Sequence, residues 1–215
     1  MSPAALHSLS PEQLEEIRTV TVAHYHRAAR DFWEGTKDHD VRQNVDALLR
    51  HVRASAPFDI LDVGCGPGRD LMTFRDLGHR PVGLDACAAF VAMARANSDC
   101  EVWQQDLLAL DLPDARFDGV FANAVLFHVP SQELPRVLEQ LHRALKPDGA
   151  LFCSNPRGPD SEHWNGDRYG CYLSLATWRD YATQAGFEEL EHFYRPEGRP
   201  QAEQPWLASV WRKPA

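Results

Sequence analysis

An α/β chain with a mainly parallel sheet is the fold class this sequence predicts, on three observations. A buried strand, Asp59-Ile60-Leu61-Asp62-Val63, runs straight into the glycine-rich turn Gly64-Cys65-Gly66-Pro67-Gly68. Short apolar runs then alternate with helical patterns through to about residue 154. The strand–helix–strand spacings are long enough for crossovers, which parallel pairing requires.

Taken in order, the elements have local reasons. Ser10-Pro11-Glu12-Gln13 joins an N-cap, a proline at the first helical position and a capping-box partner, so a helix opens there and is predicted to run to about Ala29. Val41, Val45, Leu48, Leu49 and Val52 share one face of a second helix over 41–52. Strands read at 58–63, 81–85, 101–104, 117–122 and 149–154, with helices between them. From Ser131 a helix places Leu134, Val137, Leu138, Leu141 and Leu145 on one stripe, and Lys146-Pro147-Asp148-Gly149 turns the chain into the fifth strand. A polar, Gly-rich loop to about Cys171 follows, then a helix near 175–185 ended by Gly186. An extended segment near 187–195, a Pro/Gly-rich connection and a final strand at 206–211 complete the chain.

The turn puts backbone N–H groups at a helix N-terminus, a seat for a small polar ligand. Its spacing is G-x-G-x-G, and Arg69 stands where a dinucleotide-binding turn needs its third small residue, which favours a nucleoside ligand without a diphosphate. Asp85 closes the second strand ~20 positions after the first glycine, the spacing at which a carboxylate meets ribose hydroxyls. Asp106 follows the third strand beside Leu107, an acceptor and an apolar surface suited to adenine. Each acid alone also reads as a helix cap or a surface loop residue; their order marks one nucleoside pocket.

On these residues, with Phe117-Asp118-Gly119-Val120-Phe121-Ala122-Asn123-Ala124, Leu126-Phe127-His128-Val129 and Leu145-Lys146-Pro147-Asp148-Gly149, the chain resembles the class I S-adenosylmethionine-dependent methyltransferases of the small-molecule type over about residues 58–154. The resemblance implies a Rossmann-like, three-layer α-β-α sandwich whose seven-stranded, mainly parallel sheet ends in an antiparallel strand. It implies a single domain over 1–215, with residues 1–56 as a helical lid and 57–215 as the cofactor-binding core. The cofactor would be S-adenosyl-L-methionine, leaving S-adenosyl-L-homocysteine. Gly64, Cys65 and Gly66 would lie beside its methionine part, Asp62 would order its amino group, and the Asn123 carbonyl would meet the ammonium. Asp85 would take the ribose, Asp106 the adenine amino group and Leu107 the adenine face.

Catalytic candidates are His128, read either as the base that removes an acceptor proton or as a histidine capping a backbone carbonyl, and Tyr25 from the lid. Phe32 and Trp33 would wall off the sulfonium, or else Tyr25 and Phe32, seven apart, bury a helix face; Arg157, after the fifth strand, pairs with a substrate carboxylate or sits in a surface turn. The implied reaction is in-line methyl transfer to an O, N or S nucleophile of a small molecule. A NAD(P)-dependent oxidoreductase would share Asp85, but it has no use for Asp106 and needs the small residue that Arg69 replaces. A non-catalytic partner keeping the fold would show a degraded pocket.

Composition bounds the partners. With 22 Lys and Arg against 31 Asp and Glu, the net charge is −9, which argues against a nucleic-acid substrate. Five cysteines without a C-x-x-C pair, and no long apolar run, predict a cytoplasmic chain with reduced thiols, no membrane partner and no metal site. A monomer or homodimer is expected.

Overall fold

The structure, a computed structural model, describes residues 5–215. In chain order the elements are α1 (Pro11–Thr36), α2 (Arg42–Leu49), β1 (Asp59–Val63), α3 (Arg69–Asp76), β2 (Arg80–Asp85), α4 (Ala88–Ser98), β3 (Glu101–Gln104) and β4 (Phe117–Asn123). They continue with α5 (Leu134–Ala144), β5 (Leu145–Pro156), β6 (Ser161–Asn165), β7 (Arg168–Tyr172), α6 (Leu175–Gln184), β8 (Glu188–Arg195) and β9 (Trp206–Arg212).

Seven strands form one sheet in the order β3-β2-β1-β4-β5-β9-β8. β1 pairs in parallel with both β2 and β4, so the strand order reverses between β1 and β4. In open α/β sheets a ligand crevice forms outside the carboxyl ends of strands at such a point. β9 lies antiparallel between β5 and β8. Strand alternation sends Leu61, Val63, Val120, Ala122 and Leu151 to one face, under α5 and α6. Ile60, Phe121 and Phe152 go to the other, where Val45 and Leu48 of α2 and Phe74 of α3 cover them.

That placement corrects the reading of residues 1–56 as one lid. Val45, Ala47 and Leu48 are fully buried, so α2 belongs to a helical layer of the sandwich and only α1 is left to cover the crevice. α1 itself runs seven residues beyond Ala29, to Thr36. No proline interrupts it, and Ala29 and Phe32 pack on Phe90 of α4. Its start is as read: Ser10 Oγ accepts from the Gln13 N–H at 3.3 Å, and the Ser10 N–H donates to Gln13 Oε1 at 2.8 Å.

The stretch read as a polar loop up to Cys171 contains the hairpin β6–β7, turned by Gly166-Asp167 with Gly166 at φ 60°. A two-residue loop with glycine first suits the twist of paired strands. Buried Glu162 pins the hairpin to the turn before α5, accepting from the Ser131 N–H at 2.7 Å and the Ser131 hydroxyl at 2.8 Å.

Candidate functional site

The crevice at the carboxyl ends of β1 to β4 opens into a cavity of about 720 Å³, inside the range of small-molecule sites. Its floor is the glycine turn. Gly64 has φ 67°, and a Cβ there would stand 2.2 Å from Val125, so neither backbone nor space admits a side chain. Gly68, at φ 93°, brings the start of α3 so near α4 that a Cβ would lie 2.9 Å from the Ala94 Cα. The close approach of α3 to α4 thus depends on Gly68.

Arg69 therefore has other work. Its Nε and Nη2 donate to the two carboxylate oxygens of Asp70 at 2.7 and 2.9 Å, and its Nη1 donates to the Thr36 carbonyl, the last residue of α1, at 3.1 Å. Asn123 Nδ2 donates to Asp70 Oδ2 at 3.2 Å, and Asn44 Nδ2 donates to Asn123 Oδ1 at 3.0 Å. One polar chain thus ties the end of α1 to the cavity floor and leaves the Asn123 side chain engaged.

Asp85 and Asp106 both reach the cavity. Asp85 Oδ2 accepts from the Gly66 N–H at 3.0 Å and Oδ1 from the Cys87 N–H at 2.8 Å. Burial pushes its carboxyl up to about 6 despite those bonds. Asp106 Oδ1 caps the short turn Leu107–Ala109 through the Leu108 N–H at 2.8 Å. Its Oδ2 stands 3.9 Å from Arg18 of α1, and burial raises this carboxyl too. Gly64, Cys65, Gly66, Leu107 and Asn123 also line the cavity, whereas Asp62 does not. Asp62 is buried before the turn with Oδ2 unpartnered, and burial first, then nearby Asp70, holds its carboxyl well above the usual range.

Over the floor stand Tyr25, Phe32 and Trp33 of α1, with His128 facing them from the turn after β4. The Tyr25 hydroxyl and His128 Nε2 are 2.8 Å apart, and His128 Nδ1 lies 2.6 Å from the Tyr169 carbonyl. A carbonyl only accepts, so Nδ1 carries the proton and the bare Nε2 accepts from the phenol. Burial pushes the imidazole down to about 4, the Tyr169 carbonyl pulls back, and Arg168 and His24 push further down. Burial raises the Tyr25 phenol, and the nearby Arg168 guanidinium pulls the other way. Tyr25 also meets Phe32 edge-to-face at 5.7 Å.

Arg157 is not at the cavity. Its guanidinium donates to the Gln201 carbonyl and, at 2.8 Å, to the Gln204 carbonyl, and lies over the Tyr194 ring, so it holds the β8–β9 connection together. The cations that do reach the cavity from the carboxyl-terminal half are Arg168 and Arg195. Arg168 begins the hairpin strand that the polar-loop reading concealed; Asn165-Gly166 was its one sequence signal.

Residues 60–149 match the model of a methyltransferase domain. Malonyl-[acyl-carrier protein] O-methyltransferase of Pseudescherichia vulneris is 33% identical over 111 residues, covering 51% of this chain and 43% of the relative. Trans-aconitate 2-methyltransferase of Azoarcus sp. (strain BH72) is 35% identical over 117 residues, covering 52% of this chain and 46% of the relative. The chain thus matches less than half the length of either curated relative. Among solved structures, the 1,6-didemethyltoxoflavin-N1-methyltransferase of Burkholderia thailandensis, with bound 1,6-didemethyltoxoflavin and S-adenosylhomocysteine, superposes with TM-score 0.79 at 23% identity, covering 99% of this chain and 95% of that one. Residues 60–149 are thus similar to methyltransferase domains, and the sheet order and superposition give the chain the Rossmann-like fold of the Burkholderia thailandensis enzyme.

Proposed function

We propose that the protein transfers the methyl group of S-adenosyl-L-methionine to a small-molecule nucleophile, O, N or S, with Tyr25 and His128 managing the acceptor's proton. The observation that carries the reading is the convergence of the glycine turn, Asp85 and Asp106 on one cavity that Tyr25 and His128 also line. The donor set fits the cofactor. Asp85 keeps lone pairs for two ribose hydroxyls beyond its two backbone bonds. Asp106 Oδ2, away from the capped turn, suits the adenine amino group, and Leu107 its face. Asp62, buried behind the cavity lining with Oδ2 orphaned, would reach the ammonium only through a water.

Bound there, the cofactor supplies an electrophilic sulfonium methyl, so the protein need only place a nucleophile in line and exclude water. Phe32 and Trp33 give that end of the cavity an apolar wall. An acceptor hydroxyl or ammonium passes its proton to the Tyr25 oxygen as the Tyr25 proton moves to His128 Nε2, along the 2.8 Å bond already present. The Tyr169 carbonyl holds the imidazole in the tautomer this requires.

The test is incubation with methyl-labelled S-adenosylmethionine and a panel of small hydroxyl, amine and thiol acceptors. Labelled product formed one-for-one with S-adenosylhomocysteine supports the reading. Hydride exchange with NADH, and no methyl transfer, would favour the oxidoreductase alternative.

A further inference from the structure

Charge is unevenly shared around the cavity. Asp85 and Asp106 sit at the ends of β2 and β3, and Arg69 is neutralised by its fork to Asp70. On the opposite wall Arg168 reaches the cavity without a carboxylate partner within 4.0 Å among the described residues. Beside it stands the Tyr25 hydroxyl, which stays a neutral phenol near pH 7. A half-buried guanidinium left without an anion is costly, and a planar fork of donors is the group best matched to a carboxylate. Arg168 is also fixed in place. The next residue, Tyr169, donates its N–H to Thr21 Oγ1 at 3.2 Å and lends its carbonyl to His128, while Asp167 pairs with Arg27 of α1 at 2.6 Å.

We propose that Arg168 is a specificity-determining residue: the methyl acceptor is a small carboxylic acid, its carboxylate held by the Arg168 guanidinium beside the Tyr25–His128 pair. The inference rests on the methyltransferase reading and narrows it to an acceptor class. It also moves the substrate-carboxylate role from Arg157, whose donors are spent on Gln201 and Gln204, to a cation of the hairpin.

The experiment uses two acid–amide probe pairs, malonate with malonamide and 4-hydroxybenzoate with 4-hydroxybenzamide, titrated calorimetrically into the full chain loaded with S-adenosylhomocysteine. At least one acid should bind about tenfold or more tighter than its amide, as one charge-assisted contact requires. Arg168→Gln should abolish that preference while leaving S-adenosylhomocysteine affinity within about twofold and the thermal midpoint near wild type, and Arg168→Lys should keep part of it. Equal binding of acid and amide, or no acid binding at millimolar concentration, overturns the proposal. So does an Arg168→Gln loss that falls on S-adenosylhomocysteine, which would give the arginine to the cofactor's own carboxylate. Failure of S-adenosylhomocysteine to bind appears in the loading step and counts against the methyltransferase reading instead; the acid–amide comparison on the free protein then still decides whether Arg168 makes an anion site.

Discussion

Burial disfavours the charged form of both Asp85 and His128, and their titrations oppose one another. The carboxyl, raised to about 6, keeps its proton in the folded chain over a range, about pH 4 to 6, where the unfolded chain has released it, so its contribution to stability falls as pH rises through that range. The imidazole, lowered to about 4, stays neutral in the folded chain where the unfolded chain is protonated, so its contribution falls as pH drops from about 6.5 to 4. Each effect is on the order of 2–3 kcal/mol, so in the wild type they largely cancel. Asp85→Asn should therefore steepen the loss of thermal midpoint between pH 7 and 5, and His128→Gln should flatten or reverse it. Identical pH profiles for the three proteins would contradict the burial account.

The proposed transfer of a proton through Tyr25 to His128 has kinetic consequences. His128→Ala and Tyr25→Phe should each lower turnover on a hydroxyl or amine acceptor by about 10²- to 10⁴-fold and leave cofactor affinity nearly unchanged. Wild-type turnover in His128→Ala would reduce that histidine to a cap on the Tyr169 carbonyl.

Among the elements, the glycine turn is where local geometry is least negotiable. Gly68→Ala should destabilise the chain by about 1–3 kcal/mol, because a Cβ meets the Ala94 backbone and the residue holds φ 93°; a chemical-denaturation midpoint equal to wild type would show that α3 and α4 can part freely. This element was legible from sequence because strand, glycines and acid are consecutive, and strand ends place Asp85 and Asp106 by spacing alone. The hairpin was not legible. Its strands carry Trp164, Tyr169 and Gly170 among polar residues, and what holds them, the Glu162–Ser131 pair and the Tyr169–Thr21 bond, joins positions far apart in the chain. Arg157 was misplaced for a related reason: nothing near it in sequence shows that the carbonyls of Gln201 and Gln204 take up its guanidinium. Tyr25 and His128 were each nominated separately, but their 2.8 Å contact exists only after α1 packs on the hairpin and on α4.

Across the whole molecule, one cavity gathers residues from α1, the four strand ends and the hairpin, so the proposed proton path at His128 and the position of α1 share side chains. Arg18 near Asp106, Arg69 on Thr36 and Tyr25 on His128 are the ties. Arg69→Met should loosen the end of α1, read as faster amide exchange in residues 30–36 that cofactor binding no longer fully suppresses; unchanged exchange would show that Phe32 packing on Phe90 holds the helix unaided.

Whether strand-end acids hold a nucleoside cofactor is read most directly by calorimetric titration of wild type and Asp85→Asn with S-adenosylmethionine, S-adenosylhomocysteine and NADH. Saturable binding of both adenosyl compounds by the wild type is predicted, with no NADH binding and a loss of about 1–3 kcal/mol in Asp85→Asn. NADH bound in their place, or adenosyl binding indifferent to Asp85, would contradict the account.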